Sequence, residues 1–239
     1  MNVVDLKLLG ICGSPRKGNS EFLLKKALEC SEKVTPNSLS MEIYNIRGKK
    51  FFPCIHCNKC IDTKGECVQN DDFQWLRDKW VDADIIIYSV PVYHMGLPGQ
   101  LKCFIDRLGH SLPKREIVND RLKTIGVIVQ GIYLFSGQEV TIQQLVNHAL
   151  LMGCIPVVPD PGVGTGLTGV GGWTFKDRDK NAIEKKYQQG DMEARLLVEA
   201  SQGMVKKALK IVSILRAGEK ILEYDINLKG CTNNTKGGE

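Results

Sequence analysis

Cys54, Cys57, Cys60 and Cys67 stand in the pattern C-x2-C-x2-C-x6-C. Thiolates are soft ligands, and three of them at two-residue spacing on an irregular stretch can wrap one face of a compact cluster. The fourth closes it from the far side, with Gly65 easing the turn. Bacterial ferredoxins open with the same C-x2-C-x2-C run around a [4Fe–4S] cluster. A structural zinc site more often shows two cysteine pairs across a long spacer. Reduced, unmetallated thiols are the competing reading. His56 lies among the four but is not needed where four thiolates exist. Nine cysteines in a chain of 239 residues do not suggest a disulfide framework. Cys12, Cys103 and Cys154 sit in apolar or helical patterns and read as small core residues, Cys30 closes a helix pattern, and Cys231 lies in a polar tail.

A second chemical feature is the stretch Gly13-Ser14-Pro15-Arg16-Lys17-Gly18-Asn19-Ser20. Small residues let the backbone curl so that several N–H groups face one oxygen-rich group. Ser14, Asn19 and Ser20 add side-chain donors, Arg16 adds a charge, and a helix beginning near Ser20 adds its positive end. This suits a single phosphate. It is neither a Walker loop nor the G-x-G-x-x-G of dinucleotide folds.

The elements that must position these groups alternate. Leu6–Ile11, Met41–Ile46, Ile85–Val90, Thr124–Val129 and Ile155–Val158 read as strands. Helical stripes follow them: Ser20–Lys33, a helix starting at Asp71-Asp72, one carrying Leu101, Phe104, Ile105 and Leu108, one around Ile142–Leu150, and a long last helix, Met192–Leu215. Five βα units predict an α/β fold, a doubly wound five-stranded parallel sheet of order 2-1-3-4-5 with its ligand crevice at the carboxyl ends of strands 1 and 3. One domain is expected over residues 1–217, with the cysteine insertion at 51–70 and a long Gly-rich loop at 160–190. A polar tail, flexible at its end, is expected over 218–239. The same crevice rule selects Pro91-Val92-Tyr93-His94-Met95 and the loop opening with Gln130-Gly131. Their aromatic, apolar and amide groups suit a flat heteroaromatic ring above the phosphate, which favours a flavin.

On these residues the chain resembles the flavodoxin-like NAD(P)H-dependent FMN reductase superfamily. The resemblance rests on the Gly13–Ser20 loop, on Ser89-Val90-Pro91-Val92-Tyr93, and on Gly99-Gln100-Leu101-Lys102-Cys103-Phe104-Ile105-Asp106-Arg107. It covers about residues 5–160. It implies that Ser14, Arg16, Asn19 and Ser20, around Gly18, hold the FMN phosphate. It implies that Pro91 to Met95 line the ribityl chain and ring, and that Lys102, Asp106 and Arg107 fix the helix behind the loop. With Cys54, Cys57, Cys60, Cys67 and the following Asp71-Asp72, the combination is similar to the iron–sulfur flavoproteins. That resemblance implies a homo-oligomer, a dimer or dimer of dimers, in which cluster and flavin exchange electrons. It further implies ferredoxin or NAD(P)H as donor.

Composition narrows the field. The net charge of +5 comes from scattered lysines, not from the clustering a nucleic-acid groove needs. No apolar run approaches the ~18 residues of a membrane span, and the first residues do not read as a secretory leader, so a cytoplasmic protein is expected. No Ser-His-Asp or Cys-His constellation stands out. The expectation is an FMN-dependent oxidoreductase passing electrons between a [4Fe–4S] cluster and FMN. The alternatives are an NAD(P)H-dependent FMN or quinone reductase without a cluster, and a non-enzymatic electron carrier for a larger complex.

Overall fold

The computed structural model describes residues 5–31, 38–63, 65–111, 121–159, 168–174 and 177–225, with side chains through residue 219. Its elements run β1 (Asp5–Cys12), α1 (Asn19–Leu28), β2 (Ser38–Asn45), α2 (Lys59–Asp62), α3 (Phe73–Asp82), β3 (Ile85–Pro91), α4 (Gly99–Ser111), β4 (Thr124–Gly131), α5 (Gln138–Leu151), β5 (Ile155–Val157), β6 (Val170–Trp173), α6 (Ala182–Gln188) and α7 (Met192–Asp225). The strand order is β2-β1-β3-β4-β5, all parallel, as the alternating pattern predicts. This is the flavodoxin-like α/β arrangement.

The sheet is buried because both faces are covered. Every residue of β3 (IIIYSVP) is buried, which is why that strand reads as a continuous apolar run instead of an alternation. One face meets α3, α4 and α5 through Phe73, Leu76, Trp80, Leu101, Phe104 and Leu145. The other meets α1 and α7 through Leu23, Leu24, Ala27, Ala200, Met204 and Ala208. At the amino edge of the sheet the Asp84 carboxylate accepts from the Lys7 N–H at 2.9 Å and from Arg216 Nη2 at 2.7 Å, which fastens α7 to the central strands.

Two expectations are corrected. The stretch 160–190 is more than a long loop: it holds the sixth strand, β6, and the helix α6. β5 pairs with the first half of β4 (Thr124–Gly126), and β6 takes the second half (Ile128–Gly131) in parallel. The glycines hide the strand, but they serve close packing. A Cβ on Gly172 would stand 2.6 Å from Leu197 Cδ2, so the Leu197 side chain of α7 fills the space that a larger residue on β6 would take. The last helix also runs ten residues past Leu215, to Asp225; Ala217, Lys220 and Leu222 are good helix formers that carry it on. The end of the expected polar tail, with Cys231, lies outside the described residues. Among the described residues no helix is long and apolar enough to cross a membrane.

Buried His148 on α5 packs against Trp80 and Tyr88, and its Nε2 has no hydrogen-bond partner. Burial pushes its pKa down to about 4. The unfolded chain takes up this proton near the ordinary value of 6.5, and the folded chain does so only near 4. Stability therefore falls as pH drops through that window, by roughly 3 kcal/mol in total. Urea midpoints measured from pH 7 to pH 4.5 should fall less steeply in His148→Leu than in the parent, and equal slopes would rule the assignment out.

Candidate functional site

The carboxyl edge of the sheet gathers the predicted phosphate loop. β1 ends at Cys12, and the Gly13 N–H donates to Ser89 O at 2.9 Å. Ser14 Oγ donates to Arg16 O at 2.7 Å and accepts from the Arg16 N–H at 3.3 Å, which curls the backbone over the start of α1. Ser14, Gly18, Asn19 and Ser20 are buried, while Arg16 and Lys17 project as exposed cations. The first turn of α1 leaves N–H groups open toward the loop. Its one acid, Glu21, is neutralised by Lys25 at 2.9 Å and Arg47 at 3.1 Å. Burial opposes ionisation of Glu21, but the two cations outweigh it and hold the carboxyl below its usual range. The edge thus stays receptive to an anion.

Not every predicted donor faces the loop. Asn19 Oδ1 accepts from the Ile183 N–H at 3.0 Å, and the Asn19 N–H donates to Lys180 O at 2.7 Å. Asn19 thereby ties the segment before α6 to the loop. Ser20 Oγ accepts from Gln130 Nε2 at 3.1 Å, and Ser89 Oγ donates to Ser20 O at 2.8 Å, so the ends of β3 and β4 are joined to the start of α1 at Ser20.

The two other loops meet beside it. The Val92 N–H donates to Gln130 O at 2.9 Å, joining the ends of β3 and β4, and Gly131 O accepts from the Thr174 N–H at 3.0 Å. Tyr93 and Gly96 exchange backbone hydrogen bonds at 2.9 and 3.0 Å around His94 (φ 46) and Met95 (φ 65). Two consecutive left-handed residues make a type I′ turn, for which Asn-Gly is the usual pair. Building it from His and Met stores strain, and such strain clusters at binding sites. Tyr93 and Met95 are exposed, as are Tyr133, Leu134 and Phe135 across the edge. Phe135 is 81% exposed, an apolar area that favours a cover. Sequence reasoning missed Gln138, whose Nε2 donates to Tyr133 O at 2.6 Å and Gly172 O at 3.1 Å and whose Oε1 accepts from the Ser136 N–H at 2.9 Å. It shapes the 131–137 loop. Its partner on β6 is 34 residues away, so no local pattern signals it.

The cysteine loop is a closed excursion. Asp71 Oδ2 accepts from the Phe52 N–H at 2.7 Å, Asp72 Oδ2 from the Lys50 N–H at 2.8 Å, and Gln69 Nε2 donates to Pro53 O at 3.1 Å. Beyond this neck the chain passes through left-handed His56 (φ 50), Asn58 (φ 59) and Gly65 (φ 92), with α2 between. Cys54, Cys57, Cys60 and Cys67 are free thiols and line one cavity together with Arg107, His110 and Ser111 of α4. His56 is exposed and packs on His110, ring centroids 4.9 Å apart. Among the described residues no group of three or more His, Cys, Asp or Glu side chains is placed to hold a single metal ion. The donor set, four thiols around one space, fits a cluster in which each thiolate takes its own iron.

The description NADPH-dependent FMN reductase matches residues 6–166 at family level. An iron–sulfur flavoprotein of Methanocaldococcus jannaschii is 38% identical over 168 residues, 70% of this chain and 83% of that protein. The chain belongs to the iron–sulfur flavoprotein branch of the FMN reductase family. An iron–sulfur flavoprotein of Archaeoglobus fulgidus is 33% identical over 200 residues, 84% of this chain and 97% of that protein. The fold is shared with a solved flavone reductase, TM-score 0.58 at 17% identity, over 86% of this chain. The chain covers 64% of that enzyme, under two thirds of its length.

Family membership makes the protein an FMN-dependent oxidoreductase. For an FMN reductase the groups at the carboxyl edge are of the right kinds: exposed cations and open N–H groups at the start of α1, and an apolar, aromatic rim on the other two loops. The iron–sulfur flavoprotein cysteines lie elsewhere. Gly99 follows the Pro91–Met95 loop, and Arg107 and Ser111 stand about 12 and 18 Å further along α4 at ~1.5 Å per residue. The thiols therefore pack against the far half of that helix, away from the Pro91–Met95 loop.

Proposed function

We propose that this protein passes electrons between a [4Fe–4S] cluster held by Cys54, Cys57, Cys60 and Cys67 and an FMN seated at the carboxyl edge. The observation that carries the reading is the convergence of four free thiols on one cavity beside a flavodoxin-like sheet. When bound, a cluster carries electrons singly and FMN singly or in pairs, so together they match one-electron supply to two-electron reduction.

The chain's own residues bind and orient. Ser14, Arg16, Gly18 and Ser20 shape the phosphate seat, with Asn19 holding it to the Lys180–Ile183 segment. Pro91, Val92, Tyr93, His94 and Met95, with Gln130 and Gly131, frame the ring side. Tyr133, Leu134 and Phe135 offer an apolar cover that keeps water away. The separation of the two sites along α4 favours transfer between subunits, and we assign the exposed apolar rim to a homodimer or dimer of dimers. A ferredoxin-type protein or NAD(P)H suits the donor role.

Protein purified without oxygen should contain iron and acid-labile sulfide in the ratio of one [4Fe–4S] cluster per FMN. Its visible spectrum should show the two flavin bands over a broad shoulder that bleaches on reduction. Stoichiometric zinc without iron would sink the electron-transfer reading. Full FMN without any metal, with turnover of NAD(P)H, would leave a simple FMN or quinone reductase in its place.

A further inference from the structure

Arg107 lies two turns along α4 from Gly99, with its side chain fully buried against a fully buried Asp71 carboxylate. Its Nη1 donates to Asp71 and to Phe52 O at 3.3 Å, its Nη2 donates to Gln69 O at 3.4 Å, and its planar face lies 4.1 Å from the Phe73 ring. Phe52 precedes Cys54 and Gln69 follows Cys67. One guanidinium therefore grips both ends of the cysteine loop. Its Nε is buried with no hydrogen-bond partner, and the residue lines the cavity of the four thiols. Asp71 is not among the residues lining that cavity. A buried guanidinium N–H left without an acceptor in a native fold calls for an explanation.

We propose that Arg107 is a positioning residue for the cluster: it ties both ends of the cysteine loop to α4 and turns the positive side of the buried Arg107–Asp71 pair toward the thiols, raising the cluster's reduction potential. The inference rests on the cluster reading above. Four thiolates around iron and sulfide carry net negative charge, and an added electron increases it. A fixed cation in a poorly solvating surround stabilises the reduced form more than the oxidised one. Because α4 starts directly after the ring-side loop, the same helix also fixes where the cluster stands relative to that loop.

The test uses anaerobic holoprotein, with iron, sulfide and FMN assayed first. A wild type without iron overturns the cluster reading and this inference with it. With the cluster present, redox titration followed by electron paramagnetic resonance gives its midpoint potential, and iron transfer to a chelator gives the firmness of the loop. Arg107→Gln should make the cluster harder to reduce by about tenfold, which is about 59 mV for one electron. It should also speed iron loss at least tenfold. Arg107→Lys keeps the charge without the planar fork, so it should restore most of the potential while iron loss stays fast. Asp71→Asn removes the counter-charge and should move the potential the opposite way. If Arg107→Gln does not accumulate as folded protein, Arg107→Lys and Asp71→Asn carry the test. Potentials in Arg107→Gln and Asp71→Asn equal to that of a fully loaded wild type would overturn the inference alone, as would an Asp71→Asn potential that moves downward.

Discussion

Cys57→Ala will lose the broad cluster absorption and its iron while keeping FMN at the parent's stoichiometry. The expected separation follows from where each site gets its support. Cys57 is exposed, between His56 and Asn58 at the outer part of the loop, and it contributes nothing to the core. The neck is held by Asp71, Asp72, Gln69 and Arg107, none of which needs the thiol. The phosphate loop depends on contacts between Ser14, Arg16, Asn19, Ser20, Gln130 and the Lys180–Ile183 segment. Removing one thiolate of four takes away a metal bond and leaves these contacts in place. Cys103→Ala is the control, because that thiol is outside the cavity and should leave the iron content unchanged. Iron and FMN assays on the same preparations decide it. Full iron in Cys57→Ala would remove this residue from the ligand set.

The sheet was legible because doubly covered parallel strands have a simple signature. β1, β3 and β4 are buried along most of their length, and their sequences are apolar runs broken by small residues. Strict alternation implied a parallel sheet, and five units matched the doubly wound order 2-1-3-4-5. β6 was illegible for the opposite reason: Val-Gly-Gly-Trp has the composition of a loop, and the packing of Leu197 from α7 against Gly172 is visible only in the fold. Site residues divide in the same way. Ser14 and the cysteines announce themselves by local spacing. The roles of Asn19 and Arg107 depend on partners far along the chain, Ile183 at 164 residues and Phe52 at 55, which no motif encodes. Arg107 was expected to steady its own helix. The structure adds that it grips both ends of the cysteine loop, at Phe52 and Gln69.

Gly18→Ala should weaken FMN binding about tenfold to a hundredfold, or about 1.4–2.7 kcal/mol. A Cβ at this position would stand 2.3 Å from Lys180 O and 3.1 Å from Lys180 C. The obstacle is backbone, not the end of a flexible side chain. It cannot retreat easily: the Asn19 N–H holds Lys180 O at 2.7 Å, and the Ile183 N–H is held by Asn19 Oδ1 at 3.0 Å. The segment is further stiffened by Asp177 and Asp179, whose carboxylates accept from the N–H groups of Asp179 and Asn181 at 2.8 and 2.9 Å. Relief must come from moving the start of α1, and that start is the proposed phosphate seat. Overpacking of this kind also costs about 1–3 kcal/mol of stability, so the binding loss needs a separate signature. Riboflavin lacks the phosphate and should lose less affinity than FMN in the variant. Gly109→Ala supplies the contrast, since its Cβ meets nothing within 4 Å and α4 should gain roughly 0.5–1 kcal/mol. Flavin fluorescence titrations and urea unfolding on all three proteins give both quantities. Equal losses for FMN and riboflavin would mean that the phosphate does not sit at the Gly18 turn, whatever happens to the fold.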